Sequence, residues 1–161
     1  MLGLPYREVW SLDFEFVAKS GAHPVPVCMV AREMGSNRLL RLWGDELGPE
    51  PPFTIDDHTL FVAFFASAEW SCFLSLEWPL PRRVLDLYVE FRVETNGLSL
   101  PTGRGLLSAL STHGITAITA DEKSDKRALI MRGGPWSEAE RREILDTARV
   151  TSTHSGRCSS A

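Results

Sequence analysis

The sequence predicts an α/β domain built on a mixed sheet, and three observations predict it. The N-terminal part alternates β-rich segments with short polar turns, as an antiparallel meander does. A continuous apolar run, Leu60-Phe61-Val62-Ala63-Phe64-Phe65, follows, as expected of a strand buried on both faces. Beyond it, strand-like and helix-like segments alternate, which is the pattern of a layered α/β fold.

The elements follow in chain order. Residues 9–16 are rich in β-branched and aromatic side chains and read as a strand. Residues 19–24 form a turn, and residues 25–30 form a second strand that Pro26 confines to a strand beginning or an edge. After a turn over 33–37, residues 38–43 give the third strand of the meander. Residues 48–52 are a loop too short to separate domains. The buried strand comes next. Ser67 is placed to N-cap a helix from Ala68 to Leu76, which Pro79 and Pro81 end. Residues 83–87 form another short strand leading into a helix over 88–94. Thr102 is placed to cap a helix over 103–112, closed by Gly114. A helix over 121–132 is closed by Gly133-Gly134. Ser137 and Glu140 then form a capping box that opens the last helix.

From Thr147 the residues are mostly small and polar, without periodicity, so 147–161 reads as a disordered tail after a domain covering 1–146.

Composition bounds the function. With 161 residues, 43% hydrophobic and 24% charged, the chain is long enough for one domain with a core. A net charge of -4 gives no global basic footprint for nucleic acid, although a nucleic-acid enzyme can still be acidic if its site holds metals and its basic residues are local. Cys28, Cys72 and Cys158 are odd in number and widely spaced, which suits a reducing cytoplasm and no disulfide framework. No Cys or His pair has zinc spacing. The N-terminus lacks a signal-peptide pattern, no apolar run is long enough to cross a membrane, and a cytoplasmic location is expected.

The chemistry-bearing motif lies in the first strand. Residues two apart share a strand face, so Asp13 and Glu15 project together while Leu12, Phe14 and Phe16 line the other face. Two carboxylates on a mostly apolar strand are half of a divalent-metal site for hard cations. The same spacing also suits an edge strand whose polar side chains face water, and spacing alone favours that second reading. His58 and His113 fall in turns and read as surface residues. Trp70, Phe73 and Trp78 could stack a single-stranded base, with core packing favoured by their helical spacing. Arg82, Arg83, Arg92 and Arg104 could contact phosphates, with solvated charge as the ordinary alternative.

These residues carry a resemblance. The Asp-x-Glu strand at the start of a meander resembles the DEDD 3′–5′ exonucleases of ribonuclease H-like fold. The run Trp78-Pro79-Leu80-Pro81-Arg82-Arg83-Val84-Leu85-Asp86-Leu87-Tyr88-Val89-Glu90-Phe91-Arg92 is more specific and is similar to the proofreading exonuclease domain of family A DNA polymerases. The similarity extends over residues 7–146.

The resemblance implies four carboxylates from three blocks holding two Mg²⁺ or Mn²⁺ ions, a single-stranded DNA 3′ end as substrate, and a DNA polymerase module downstream. The first block is Asp13 and Glu15. The second is Glu69, where the family more often has Asp; a first-turn acid placed for the helix dipole is the plainer reading. Asp86 is the other second-block candidate, and N-capping the next helix is its favoured reading.

The third block, Tyr-x-x-x-Asp, is expected directly after Asp146, where this chain has Thr147 and Thr151. Threonine cannot replace a metal-bridging carboxylate. One nucleotide restored after the Asp146 codon permits Tyr-Cys-Ala-Ser-Asp-Val-Asp-Ala-Leu from position 147. The expectation is therefore an out-of-frame tail and an exonuclease domain lacking its last helix, impaired as encoded. The alternative is a non-catalytic remnant that binds nucleic acid or a protein partner.

Overall fold

A computed structural model describes residues 4–115 and 120–154, with side chains described outside 120–123 and 149–154. Its centre is β1 (Glu8–Val17), the longest strand. β2 (Val25–Glu33) pairs antiparallel with it, and β3 (Leu39–Trp43) pairs antiparallel with β2. On its other side β1 runs parallel to β4 (Thr59–Ala63), which runs parallel to β5 (Val84–Asp86). The sheet order β3-β2-β1-β4-β5 is thus the expected meander followed by strand–helix units. Every residue of β4 is buried, as its unbroken apolar run requires.

Five α-helices and a 3-10 turn (Gly44–Glu46) complete the described elements: α1 (Ala66–Ser75), α2 (Leu87–Glu94), α3 (Leu106–Thr112), α4 (Ala120–Arg132) and α5 (Glu138–His154). The alternation of β1 sends its side chains to opposite faces of the sheet. Trp10, Leu12 and Phe14 pack with Met29, Phe53, Phe61, Cys72, Phe73 and Trp78 on the α1 side. Val17 faces a second cluster, in which Cys28, Trp43, Ile130 and Ile144 join the sheet to α4 and α5. Pro26 sits near the start of β2, where the register with β1 shifts between Glu15 and Phe16. A bulge is one of the few places a proline fits in a central strand, because it has no N–H to give the ladder.

The β2–β3 turn is built around Glu33. Its Oε1 accepts from the Val9 and Gly35 amides, at 3.1 Å each. Its Oε2 accepts from the Ser36 amide, and from the Ser36 hydroxyl at 2.7 Å. A Cβ on Gly35 would lie 3.3 Å from both carboxylate oxygens, so glycine is what lets the turn close over this group. Burial works against the charge, but the Ser36, Gly35 and Val9 bonds outweigh it and lower the Glu33 pKa to about 2.

Three sequence expectations are corrected. Ser67 does not cap α1. The cap position is Phe65, in the left-handed region at φ 70° and ψ 57°, and the first amides are taken by a carboxylate from β5. Thr102 does not cap a helix over 103–112. α3 starts at Leu106 after Gly105, and the Thr102 hydroxyl instead donates to Ser108 Oγ at 3.0 Å.

The third correction concerns 147–161. The helix opened by the Ser137–Glu140 capping box runs through His154, so helical backbone continues past the expected boundary at Asp146, and the chain does not lack a helix there. Thr147 is compatible with helix because its hydroxyl donates to Glu143 O at 3.0 Å, and fully buried Ala148 continues the inward stripe of Ile144 four residues earlier. Residues 155–161 lie outside the described residues. The capping box itself is as expected: Glu140 accepts from Ser137, and its pKa falls to about 2, with the Arg132 hydrogen bond the largest cause.

Candidate active site

The carboxylates gather where three parallel strands end. Asp13 and Glu15 lie in the second half of β1, beyond Ser11, the last residue paired with β4. Glu69 sits in the first turn of α1, the helix that follows β4. Asp86 is the last residue of β5. Open α/β sheets bind ligands in this position, outside the carboxyl ends of the strands, because the loops and helix starts converge there.

Glu69 reaches β1 directly. Once β4 has ended, the Phe14 amide has no strand partner on that side, and Glu69 Oε2 accepts from it at 2.7 Å. The side chain is only 4% exposed. Its pKa is raised well above the ordinary carboxylate range, first by burial and then by Asp13; the Phe14 bond opposes the rise, while Glu15 and Asp86 add to it. Glu69 is therefore a buried acid with the acids Asp13, Glu15 and Asp86 around it. Asp13 and Glu15 are half-buried and make contacts of their own.

Asp86 serves a different purpose. Oδ1 accepts from Phe65 N at 3.1 Å and Tyr88 N at 2.9 Å, and Oδ2 accepts from Ala66 N at 3.0 Å; Val89 N adds a longer bond at 3.4 Å. One carboxylate thus closes the N-termini of α1 and α2 together. The N-cap role expected for Asp86 is present, and a second cap, on α1, was not foreseen.

Buried thiols flank the cluster. Cys28 stands opposite Glu15 across β1–β2, and Cys72 follows Glu69 by one helical turn. Burial raises both pKa values, with Glu15 and Asp13 adding for Cys28 and Glu69 adding for Cys72. Both therefore stay protonated and are poor nucleophiles.

The remaining residues singled out by sequence have structural partners. Phe73 and Trp78 are core, and Trp70 packs against that core. His58 and His113 are exposed, and His113 Nε2 lies 3.2 Å from Glu94 Oε2. Arg82 and Arg83 face Asp57, Arg104 donates to the Thr95 and Leu98 carbonyls, and Arg92 lies over the Tyr88 ring at 5.6 Å.

The donor set can be set against Mg²⁺ or Mn²⁺. Asp13, Glu15 and Glu69 offer only oxygens, as hard cations require, and share a site whose excess negative charge a cation would relieve. Among the described residues, no three His, Cys, Asp or Glu side chains are already drawn into a ligand group. The chemistry fits the ion, while the geometry is that of a pair held on β1 with a third carboxylate anchored to the strand beside it. Position 147 holds a half-buried threonine committed to Glu143 O.

The five-stranded mixed sheet and its helices define a ribonuclease H-like α/β fold. Among solved structures, Escherichia coli RNase D, an exoribonuclease involved in structured RNA processing, matches with a TM-score of 0.54 at 16% identity over 93% of this chain. The chain spans 41% of the RNase D chain. The Aedes aegypti Nibbler EXO domain matches with a TM-score of 0.45 at 11% identity, covering 89% of this chain and 73% of that one. No family model matches the sequence, and no curated protein is significantly similar to it. Among the described residues, no helix is long and apolar enough to cross a membrane.

Proposed function

We propose that this chain is a metal-dependent 3′–5′ exonuclease domain acting on single-stranded nucleic-acid ends, impaired as encoded. The observation that carries this reading is the placement of Glu69, bonded to the Phe14 amide between Asp13 and Glu15, at the carboxyl end of the parallel strands. Asp13, Glu15 and Glu69 would hold the divalent ions, whose chemistry is to activate water and to stabilise the charge of a leaving 3′ oxygen. The chain itself supplies position. β1 fixes Asp13 and Glu15 on one face, and the Phe14 amide fixes the Glu69 carboxylate beside them. Asp86 holds the starts of α1 and α2 in place.

The finer reading is proofreading in a family A DNA polymerase, with DNA 3′ ends as substrate and a polymerase module as neighbour. It rests on the Trp78–Arg92 run. The impairment rests on threonine at 147 and 151, where the resemblance calls for a water-orienting Tyr and a metal-binding Asp. Those same threonines favour the second reading, a non-catalytic ribonuclease H-like domain that binds nucleic acid or a protein partner.

The test is an assay on 5′-labelled single-stranded DNA and RNA with Mg²⁺, Mn²⁺ or a chelator. The expected result is slow, metal-dependent shortening from the 3′ end that Asp13→Ala abolishes. The combined Thr147→Tyr and Thr151→Asp variant should speed it by about 10²–10³, the usual weight of one such electrostatic group. Cleavage that survives chelation, or an Asp13→Ala protein as fast as the parent, sinks the nuclease reading. Silence in every variant leaves the non-catalytic one.

A further inference from the structure

We propose that Phe65 is a stacking platform for the terminal base of a single strand entering the carboxylate site. The inference rests on the reading of this site as one for nucleic-acid 3′ ends, and it adds the residue that positions the substrate. Phe65 is a non-glycine residue in the left-handed region, at φ 70°, and its large apolar ring is 49% exposed. Both features are unfavourable for folding alone: bulky side chains rarely adopt this backbone, and an exposed ring leaves apolar surface in water.

The surroundings nevertheless hold it firmly. Asp86 accepts from the Phe65 and Ala66 amides at 3.1 and 3.0 Å, which fixes the backbone. The Tyr88 ring meets the Phe65 ring edge-on, with centroids 5.1 Å apart at 75°. Phe64 supports Tyr88 from a second side at 5.8 Å, and exposed Arg92 lies over the Tyr88 ring. Strain over-determined in this manner is characteristic of functional positions.

Location gives the platform its use. Phe65 immediately precedes α1, and Glu69 lies one helical turn further along. Phe65 thus presents an exposed aromatic ring one helical turn before Glu69, with Arg92 held over the Tyr88 ring that Phe65 meets. A nucleotide presents an aromatic base and an anionic phosphate. The ring suits the base, which stacks without regard to its identity, and Arg92 suits the phosphate.

The test is fluorescence anisotropy with a 5′-labelled single-stranded oligonucleotide carrying a phosphorothioate at its last linkage, in Mn²⁺, with thermal melts of each variant. Phe65→Asn keeps a residue tolerant of positive φ and removes the ring; Phe65→Leu keeps apolar bulk without an aromatic face. Each should weaken binding about tenfold or more, the scale of one aromatic–base stack, while Phe65→Trp should bind at least as tightly as the parent. An abasic 3′ nucleotide should cost the parent the same factor and cost Phe65→Asn almost nothing further. Unchanged binding in Phe65→Asn and Phe65→Leu, an abasic penalty that persists in Phe65→Asn, or no binding by the parent overturns the platform. A chain that cleaves but binds without regard to Phe65 loses the platform alone. A chain that binds through Phe65 yet never cleaves loses the nuclease reading alone.

Discussion

Replacing Glu33 by Gln should destabilise the fold by about 2–3 kcal/mol at pH 7, and the loss should fade in acid. The Glu33 carboxylate accepts from three backbone amides and one hydroxyl, and all four point at acceptor oxygens. Gln keeps the shape but replaces one oxygen by an NH₂ donor. If its oxygen serves Val9 and Gly35, the NH₂ faces the Ser36 amide, and a buried donor left without an acceptor costs about 1–3 kcal/mol. The titration of the native group gives a second measure. A carboxyl moved from an ordinary 4.5 to about 2 prefers its charged form by about 3 kcal/mol in the fold. The sign follows from linkage: the folded pKa is depressed, so the stabilisation is complete above about pH 4.5 and is lost as pH falls toward 2. Urea unfolding followed by tryptophan fluorescence at pH 7, 5, 4 and 3 measures both quantities. A parent–variant gap as large at pH 3 as at pH 7 would refute the charge argument, and a gap below about 0.5 kcal/mol at pH 7 would refute the clamp itself.

Three further outcomes are expected. Phe73→Ala should lose about 3–5 kcal/mol in the same urea assay, because the ring is fully buried against Phe14, Phe53, Phe61, Trp70 and Trp78. Asp86→Ala should cost more than the roughly 1 kcal/mol typical of one N-cap, because it uncaps both α1 and α2; a loss of only that size would mean one of the two caps contributes nothing. Gly35→Ala should destabilise in proportion to how far the Glu33 carboxylate must retreat from 3.3 Å, and combining it with Glu33→Gln should cost less than the sum of the two single losses.

The sheet was legible in the sequence where one physical rule dominates. The period-two pattern of β1 gave its two faces, the unbroken run of β4 gave its burial, and Ser137 with Glu140 gave the start of α5. The N-cap role of Asp86 was legible because the bond is local. Its second role was not, because Phe65 and Ala66 lie some twenty residues upstream and meet it only once β4 and β5 pair. Ser67 looked like a cap because local propensity favours one there, and the tertiary carboxylate took its place. Glu33 escaped notice for a related reason: a lone acid before Met-Gly-Ser looks like turn surface until β1 brings the Val9 amide to it. At α5, the density of Thr and Ser argued for a tail, whereas the spacing of Ile144 and Ala148 was the signal for helix. The pairing of Asp13 with Glu15 was readable from spacing, but nothing in the sequence says that Glu69 would bond to the Phe14 amide.

The central claim, that these carboxylates form a divalent-cation site, is tested most directly by titrating Mn²⁺ into the folded chain by calorimetry, alongside Asp13→Ala and Glu69→Ala. Each carboxylate neutralises part of the ion's charge, so the account predicts saturable binding in the parent, loss of it in Asp13→Ala and weakening in Glu69→Ala. Mn²⁺ affinity left unchanged by Asp13→Ala would contradict it.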